Sequence, residues 1–516
     1  MKNKAVFKPY TQHQGMLLPP SLDEMIASDH LVRVVNEVID QLDLEVLLKE
    51  YKGGGTSSFH PKMMLKVWVY GYITRIYSCR KIAKALRENI PFMWLAGMQS
   101  PDFRTLNDFR TNRMKFVIKE VFTQVVLFCL KQRYIDLSVL YADGTKYQAN
   151  ANKFKSVWRK NTQRYKENVL RKVDELMVEI DKENDIENKS LGNKDLLETG
   201  SHRVSDSTEL REEISKLSQR INEDQLEKHK KKVVQRKTRQ LSKEASKLEK
   251  YEHQESVLAG RNSFSKTDQD ATMMRAKDDQ LLPCYNVQNS CQNQIIVHYS
   301  IGQNPNDAVE FSPHLESLPE QLIPEAYLAD SIYGTQINYE LLEEKEIESY
   351  LMYPNFHHEQ RSNKAPISFM KEAFIYNAEE DTYTCPNQEK LILIQDRIIT
   401  LRNKTTTQEK QYEAQNCKSC PHYTACCKGT GNRTLNVRPR YDYLKEKARQ
   451  NLTTPEGIQL RKRRGVEVET PFGDIKFNQG HRRMVLRGKD KVAAEVGWIS
   501  LAYNIKKIKY LREKVA

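Results

Sequence analysis

The stretch LSVLYADGTKYQANA, residues 137–151, places Asp143 directly after a short run of residues that favour β-strand. Glycine and a polar segment follow, and an aspartate before a glycine is also common in turns. The pattern recurs in AYLADSIYGTQINYELLEEKEI (326–347), where Asp330 closes another apolar run ahead of a helical pattern. Ligands and catalytic groups gather at strand ends in α/β sheets. The two stretches therefore predict a sheet that brings two carboxylates together.

Short β-prone runs continue from residue 284 to residue 352, with helical patterns between the later ones. With VLYAD in front, the order is strand, strand, strand, helix, strand, helix, strand, which is typical of a mixed α/β sheet. The first two of these strands are separated by residues 156–265, which lack proline and repeat apolar residues at helical spacing. This segment is predicted to be a coiled-coil-like helical insertion into the sheet domain.

Residues 15–130 contain several short helical patterns, and Ser100 with Pro101 supplies a cap and a first-turn proline for one of them. An all-helical domain of this kind is compatible with helix-turn-helix readers of DNA. Arg104, Asn107 and Arg110 follow at three-residue steps, and these residue types bond phosphates and base edges. They are candidate DNA contacts; the alternative is an ordinary solvated helix face.

The composition of the whole chain favours a polyanionic partner. Its 516 residues carry a formal net charge of +14 and a pI near 9.1, a balance that suits nucleic acid. The N-terminus has no apolar core for a signal peptide, and no run approaches the length of a membrane span. We therefore expect a cytoplasmic protein without a membrane partner, whose nine cysteines are thiols or metal ligands rather than disulfides.

Four of these cysteines lie in CKSCPHYTACC (417–427), and Cys385 precedes Pro386 further upstream. The predicted ligands of a structural zinc ion are four of them, namely Cys385, Cys417, Cys420 and Cys426, because four thiolates close a tetrahedral site. His422 and Cys427 are alternative ligands. The competing interpretation is a set of reduced thiols in a small hydrophobic subdomain.

A third acid is needed before two strand-end aspartates become a metal site. The stretch RKRRGVEVETPFGDIKFNQGHRRMVLRG (461–488) supplies Glu469 in a densely basic setting that suits a phosphate chain, with Glu467 as the rival two residues away. In a helix, Glu469 and Lys476 lie near one face. Three carboxylates suit magnesium, and a pair of ions can activate a water or a 3′-hydroxyl for in-line displacement.

Four blocks, taken in this order, make the chain resemble a bacterial insertion-sequence transposase of the DDE class. The blocks are FHPKMMLKVWVYGYITRIYSCRKIAKAL, YADGTKYQANANKF, ADSIYGTQINYELLEE and VEVETPFGDIKFNQGHRRMVLRG. The resemblance implies a ribonuclease-H-like fold in which Asp143, Asp330 and Glu469 bind two Mg²⁺ ions, for which Mn²⁺ can substitute. It also implies cleavage of double-stranded DNA at transposon ends, followed by transfer of the freed 3′-hydroxyls to target DNA.

The resemblance further implies DNA contacts by Lys476 and by an arginine before the third acid. The expected arginine position is Gly465, so its neighbours Arg463 and Arg464 both remain candidates, with Arg464 preferred. Holding two transposon ends together implies a homodimer on DNA, and such an enzyme acts at the bacterial nucleoid.

The expected fold class is α/β, a ribonuclease-H-like mixed sheet with a helical N-terminal domain and two insertions. The expected domains are a helical DNA-binding domain (1–130), a catalytic domain in three parts (131–155, 266–353 and 441–516), the helical insertion (156–265) and a small Cys-rich insertion (354–440). Two alternatives remain. A ribonuclease-H-like metal-dependent nuclease explains the acids but leaves the helical domain, the insertion and the basic tail without a role. A catalytically inactive DNA-binding relative gains no support, because all three acids are present.

Overall fold

The computed structural model describes residues 20–49, 51, 58–191, 204–222, 228–276, 279–360, 369–427 and 429–515. The α-helices are α1 (Leu31–Asp40), α2 (Glu45–Lys49), α3 (Pro61–Ile73), α4 (Cys79–Glu88), α5 (Ile90–Leu95), α6 (Phe103–Asp108), α7 (Met114–Lys131), α8 (Arg159–Leu191), α9 (Ser207–Asn222), α10 (Lys228–Leu258), α11 (Asp307–Glu316), α12 (Gln336–Glu344), α13 (Phe356–Glu359), α14 (Tyr423–Cys426), α15 (Pro439–Thr453), α16 (Pro455–Gly473) and α17 (Lys489–Val515). The strands are β1 (Val139–Gln148), β2 (Ser156–Trp158), β3 (Ser263–Ser265), β4 (Thr272–Arg275), β5 (Leu281–Gln292), β6 (Ile295–Gly302), β7 (Ala326–Ala329), β8 (Glu348–Leu351), β9 (Ile375–Asn377), β10 (Thr382–Thr384), β11 (Lys390–Thr400), β12 (Thr406–Ala414) and β13 (Thr434–Val437). Short 3₁₀ turns at Glu320–Leu322, Ser331–Tyr333 and Lys371–Ala373 and π-helical turns at Phe109–Arg113 and Asp474–Asn478 complete the described elements.

A mixed sheet of six strands forms the centre of the molecule. β1 is antiparallel to β5 on one side and parallel to β7 on the other, and β8 continues parallel to β7. β4 and β6 both pair antiparallel with the side of β5 that faces away from β1. Three antiparallel strands followed by two parallel ones are consistent with a ribonuclease-H-like sheet, so the predicted fold class is confirmed.

β1 is longer than the Asp-Gly pair suggested, because it extends five residues beyond Asp143. Its pairing with β7 ends where Ala142 lies opposite Ala329, whereas its pairing with β5 continues to Gln148. The ladder to β5 keeps this last part of the strand extended. Asp143 therefore lies at the point where β1 loses its parallel neighbour, and no described strand pairs with that edge between Asp143 and Gln148.

α16 crosses one face of this sheet and packs on β1, β5 and β7. Its start is defined by Thr454, whose hydroxyl accepts a hydrogen bond from the Gly457 N–H at 2.9 Å, and by Pro455 in the first turn. The helix thereby carries residues 461–469 across the ends of the two strands that hold the aspartates.

α17 joins the N-terminal helices to the sheet. The buried Trp498 ring is stacked on that of Tyr72 and lies 6.1 Å from that of Trp68, measured between ring centroids. Near the end of the helix, Arg512 donates hydrogen bonds to both carboxylate oxygens of Glu37, at 2.7 and 2.9 Å. One hydrophobic core consequently includes residues of α1 to α7, the central sheet and α17.

Three smaller clusters of buried apolar residues lie outside this body, the smallest of them formed by Val157, Leu258 and Phe264. The helices α8, α9 and α10 form a bundle whose core contains Val173, Leu210 and Leu241. The bundle is inserted between β2 and β3, which pair with each other at its base. The second core lies in the five-stranded antiparallel sheet β13-β12-β11-β10-β9. Among the helices of the described ranges, none combines the length and the apolar character needed to cross a membrane.

Candidate active site

Arg464 lies between the two predicted aspartates. Its Nη2 atom is 3.5 Å from Oδ1 of Asp143 and 3.5 Å from Oδ2 of Asp330. The arginine side chain is only 16% exposed, and the two carboxylates are 25% and 35% exposed. Salt screens ion pairs at such depth less than it screens surface pairs. The structure thus brings Asp143 and Asp330 together around one cation, and it places Arg464 rather than Arg463 at that position.

The groups around Asp143 only partly compensate for the burial of its negative charge. Its pKa is raised to about 6, with burial as the largest cause and the negative charges of Asp307 and Asp330 acting in the same direction. Arg464 and the Gly144 N–H, which donates to Oδ1 at 2.9 Å, act in the opposite direction. A buried carboxylate with a raised pKa gains stability from any additional positive charge. The site therefore favours binding of a further cation.

The Asp143→Asn variant should become more stable than the wild type as the pH rises, when both are free of metal. The pKa of Asp143 is about 6 in the folded chain, against roughly 3.9 in an unfolded chain. Between these values the folded state retains a proton that the unfolded state has released, so wild-type stability falls relative to the variant by roughly 2–3 kcal/mol at most. Urea unfolding of both proteins from about pH 4 to about pH 7 measures the difference.

Asp490→Asn serves as the control for this comparison, because Asp490 is 74% exposed and its ion pair with Lys115 contributes little. The stability difference between Asp490→Asn and the wild type should stay nearly constant over the same range. If the stability difference between Asp143→Asn and the wild type also stayed constant with pH, it would contradict a raised pKa for the buried Asp143 carboxyl.

Asp307 is a third acid beside Asp143 that the sequence pattern did not indicate. It is the first residue of α11, and its Oδ1 atom accepts hydrogen bonds from Nζ of Lys146 at 2.6 Å, Nδ2 of Asn286 at 2.7 Å and Nε2 of Gln288 at 3.0 Å. One sequence signal could have indicated it: Asn286 and Gln288 alternate in YNVQ (285–288), so both amides lie on one face of a strand, and both are buried. We call these four residues the Asp307 hub.

The Asp307 hub lies against Gly144 and reaches the turn of Asp330. A Cβ atom at Gly144 would lie 2.2 Å from Nε2 of Gln288 and 2.6 Å from Oδ1 of Asp307, so the hub needs glycine at this position. The Tyr333 hydroxyl donates to Oε1 of Gln288 at 2.7 Å, and Tyr333 belongs to the 3₁₀ turn that Asp330 caps. The hub consequently ties the strand of Asp143 to the turn of Asp330.

The two candidate glutamates on α16 have different environments. Glu467 is buried, and its carboxylate accepts hydrogen bonds from Nη2 of Arg463 at 2.7 Å and from the Gln294 N–H at 2.8 Å. Glu469 is exposed and makes no hydrogen bond or ion pair with the residues that the structure describes. On a regular helix it points roughly 140° away from Arg464. The structure thus does not bring Glu469 into contact with the two aspartates, and its role as third acid stays a prediction.

Two family models match the chain. A model described as a transposase domain (DUF772) matches residues 20–112, and a model described as a transposase DDE domain matches residues 384–509. The chain is an insertion-sequence transposase of the DDE class. The second match includes Arg464, Glu469 and the cysteine cluster, whereas neither match reaches Asp143 or Asp330. No curated protein matches the chain.

Lys476 of this transposase borders β1 just beyond Asp143. Its Nζ atom donates to Oγ1 of Thr145 at 2.5 Å and to the carbonyl of Lys146 at 2.8 Å, and it lies 4.4 Å from the centroid of the Tyr147 ring. The lysine predicted from the resemblance therefore contacts β1 two to four residues beyond Asp143.

The three N-terminal residues predicted to contact DNA differ in how exposed their side chains are. Arg104 and Asn107 are exposed on α6. Arg110 is buried, with its guanidinium carbon 4.6 Å from the centroid of the Trp68 ring and Nη1 donating to the Tyr77 carbonyl at 2.9 Å. The structure corrects the prediction for Arg110, which supports the helical core rather than presenting itself to DNA. Each three-residue step from Arg104 to Arg110 is shorter than a helical turn of 3.6 residues, so successive side chains rotate around the helix from the surface into the core.

The cysteine cluster of the transposase surrounds one cavity of about 140 Å³, lined by Cys385, Cys417, Cys420, Cys426 and Cys427. The Sγ atom of Cys385 accepts the Glu389 N–H at 3.3 Å, and that of Cys417 accepts the Arg433 N–H at 3.4 Å. Burial raises the pKa of the Cys417, Cys426 and Cys427 thiols. His422 is not among the lining residues and packs against the Phe369 ring.

Binding of a metal ion, either by the carboxylates or by the cysteines, would require these side chains to approach one another more closely. In the part of the transposase that the structure describes, no three Asp, Glu, His or Cys side chains lie close enough together to enclose a metal ion. The donor sets still fit the expected ions chemically, since hard carboxylate oxygens suit magnesium and four thiolates suit zinc. Both metal assignments stay predictions.

Proposed function

We propose that this transposase binds the terminal inverted repeats of its insertion sequence and cuts and rejoins DNA there, with divalent metal ions held by Asp143, Asp330 and Glu469. The observation that supports the proposal most is the contact of Arg464 with both aspartates at 3.5 Å. Two carboxylates that approach one cation this closely, one of them with a raised pKa, form a preorganised site for positive charge.

Magnesium, or manganese in its place, fits the oxygen donors of the two aspartates. Once bound, the metal ions would supply the activation of a water or a 3′-hydroxyl and the stabilisation of the leaving oxygen in an in-line displacement at phosphorus. Glu469 lies on the same helix as Arg464, and its carboxylate has no competing partner among the described residues. That availability supports its assignment as the third ligand.

Arg464 would bind the phosphate that reacts. Its Nε atom is buried and has no hydrogen-bond acceptor within the described structure, which is a costly state for a donor. A phosphate oxygen beside Asp143 and Asp330 would accept a hydrogen bond from Nη2, and Arg464 would then stabilise negative charge that develops on the phosphate during the displacement. Lys476 would add a second positive charge further along β1.

The exposed side chains of Arg104 and Asn107 on α6 would contribute to recognition of the transposon ends. Because two ends must be joined, the transposase would act as a homodimer on DNA. The net positive charge of the chain supports binding to the DNA duplex.

A plasmid that carries the inverted repeats tests the proposal when it is incubated with the full chain and Mg²⁺. We expect strand cuts at the repeat ends and joining of the ends to target DNA, whereas Asp143→Asn should bind the repeats without cutting. Equal cutting of a plasmid without repeats would favour a plain nuclease. Binding of the repeats by the wild type without any cutting would favour a non-catalytic DNA-binding protein.

We also propose that Cys385, Cys417, Cys420 and Cys426 bind a structural zinc ion, with Cys427 as an alternative ligand. The five thiols line one cavity, and the main-chain N–H bonds to Cys385 and Cys417 would stabilise their thiolates. Zinc would replace the protons that burial keeps on the thiols.

Removal of zinc should therefore loosen residues 380–430 and leave the site around Asp143 intact. The reason is that this small sheet has its own core, separate from the core under Asp143. Metal analysis should find about one zinc per chain, and amide exchange after chelation should accelerate in residues 380–430 alone. Cys129→Ser, at a buried cysteine of the main core, provides a control that should keep the zinc. A purified chain that is fully folded without zinc would contradict the assignment.

A further inference from the structure

A groove follows the last residues of β1, starting beside Asp143. Its first part has a volume of about 570 Å³ and runs from Gly144 along the strand, bordered by Lys476 and Phe477. A second part, of about 610 Å³, continues past Asn152 to Arg487. The two parts share Gln148 and Leu282 in their walls. They form one channel that leads away from the two aspartates, which we call the β1 groove.

The β1 groove is strongly basic. Its walls contain seven cationic residues: Lys146, Lys153, Arg275, Lys476, Arg482, Arg483 and Arg487. The single acidic residue among the described walls is Asp307, and it is already paired with Lys146 at 2.6 Å. Such an excess of positive charge fits a phosphate backbone.

Three of these arginines are held in place by main-chain carbonyls. Nε of Arg482 donates to the Lys476 carbonyl, Nε of Arg483 to the Ala149 carbonyl and Nε of Arg487 to the Asn150 carbonyl, at 3.3, 3.2 and 2.7 Å. Each therefore has a fixed stem and further N–H groups on its guanidinium. Fixed guanidinium groups lose less freedom when they bind an anion.

The loop that carries the arginines is itself fixed to the strand. The Met484 N–H donates to the Gln148 carbonyl at 2.8 Å, so the loop extends the sheet at the end of β1. The fully buried carboxylate of Glu495 accepts the N–H groups of Val485 and Leu486, each at 2.8 Å. The basic wall is thus a rigid part of the fold.

Two aromatic rings are exposed along the same channel. Phe477 is 63% exposed in the groove wall, and the guanidinium carbon of Arg482 lies 4.7 Å from the centroid of its ring. Phe154 is 84% exposed and directly follows Lys153 of the far wall, although its own side chain is not part of that wall. Exposed aromatic rings that alternate with cations are the pattern of proteins that stack unpaired bases while they bind the backbone.

We propose that the β1 groove binds an unpaired DNA strand next to the two aspartates, with Phe477 and Phe154 stacking on its bases. Duplex bases are stacked on one another and offer their faces to no side chain, whereas an unpaired strand offers both faces and backbone to this wall. The inference rests on the proposed function, since it places the strand beside the phosphate that Asp143 and Asp330 would act on. It names the substrate of the groove as single-stranded DNA.

Binding of a fluorescein-labelled oligonucleotide of ten thymidines to the full chain, without metal, tests this assignment. Phe477→Ala should weaken binding at least about fivefold, the loss expected when one base loses its aromatic partner, and Phe154→Ala should act in the same direction. Phe477→Trp should retain wild-type affinity. The matched control is Phe116→Ala, because Phe116 is 67% exposed beside Lys115 but lies on α7 outside the groove, and it should leave binding unchanged.

The assignment is overturned if Phe477→Ala and Phe154→Ala bind like the wild type, or if an unlabelled duplex with the same number of phosphates competes as well as the single strand. Failure of the proposed function is a separate result. Binding of the oligonucleotide by the wild type without any DNA cutting would refute the cleavage proposal alone. Cutting at the repeat ends by a chain whose Phe477→Ala variant binds normally would refute the groove alone.

Discussion

Replacing Glu469 by Gln should reduce DNA cleavage at least about 100-fold and leave the melting temperature of the chain unchanged. The expected loss exceeds the roughly 10- to 100-fold cost of changing an outer-shell partner of a metal ligand, because the carboxylate itself would bind the metal. Stability should not change, since Glu469 is exposed and without a hydrogen bond or ion pair in the described ranges. The measurements are cleavage of the repeat-bearing plasmid and thermal unfolding, at one salt concentration.

Glu467→Gln is the matched control, and the opposite result is expected for it. Glu467 is buried and holds both Arg463 and the Gln294 N–H, so its change should lower the free energy of unfolding by about 1–3 kcal/mol. The folded fraction should still cut DNA. Loss of cutting in Glu467→Gln together with normal cutting in Glu469→Gln would reverse the assignment of the third acid.

The sequence predicted the pair of aspartates because strand ends obey a simple rule. Apolar runs that close on Asp143 and Asp330 predict two strand ends, where catalytic groups gather in α/β sheets. β1 in fact continues past Asp143, but its parallel pairing with β7 ends at Ala142 and Ala329, so the two aspartates still meet. The choice between Arg463 and Arg464 could not be made in this way. It depends on how α16 crosses the sheet, which turns Arg464 to the aspartates and Arg463 to Glu467.

Two other features lay beyond the reach of local pattern. Arg110 fits a series of polar helix positions, but its burial depends on Trp68 of another helix. Asp307 follows Asn306, the helix cap, and an acid in a first helical turn is ordinary at the sequence level. Its importance arises from donors far away in the chain, since Lys146 is 161 residues distant. Contacts of this kind are set by tertiary packing and leave no periodic trace.

Asp307→Ala should lower the free energy of unfolding by about 3–5 kcal/mol, the cost of leaving one partner of a buried ion pair without the other. The ammonium group of Lys146 is 17% exposed and would lose its carboxylate, and the amides of Asn286 and Gln288 would lose a shared acceptor. Cleavage should fall as well. The hub ties the strand of Asp143 to the turn of Asp330 through Gln288 and Tyr333, so its loss would free the two aspartates to move apart.

Urea unfolding and cleavage assays on two matched variants separate this support from the general effect of losing an acid. Asp307→Asn keeps an oxygen acceptor for the two amides and should recover part of the stability and of the cutting. Asp490→Ala removes an exposed ion pair with Lys115 and should cost less than about 1 kcal/mol. If Asp307→Ala were no more damaging than Asp490→Ala, the two aspartates would have to be held by Arg464 and the sheet alone, because the hub is the remaining described link between them.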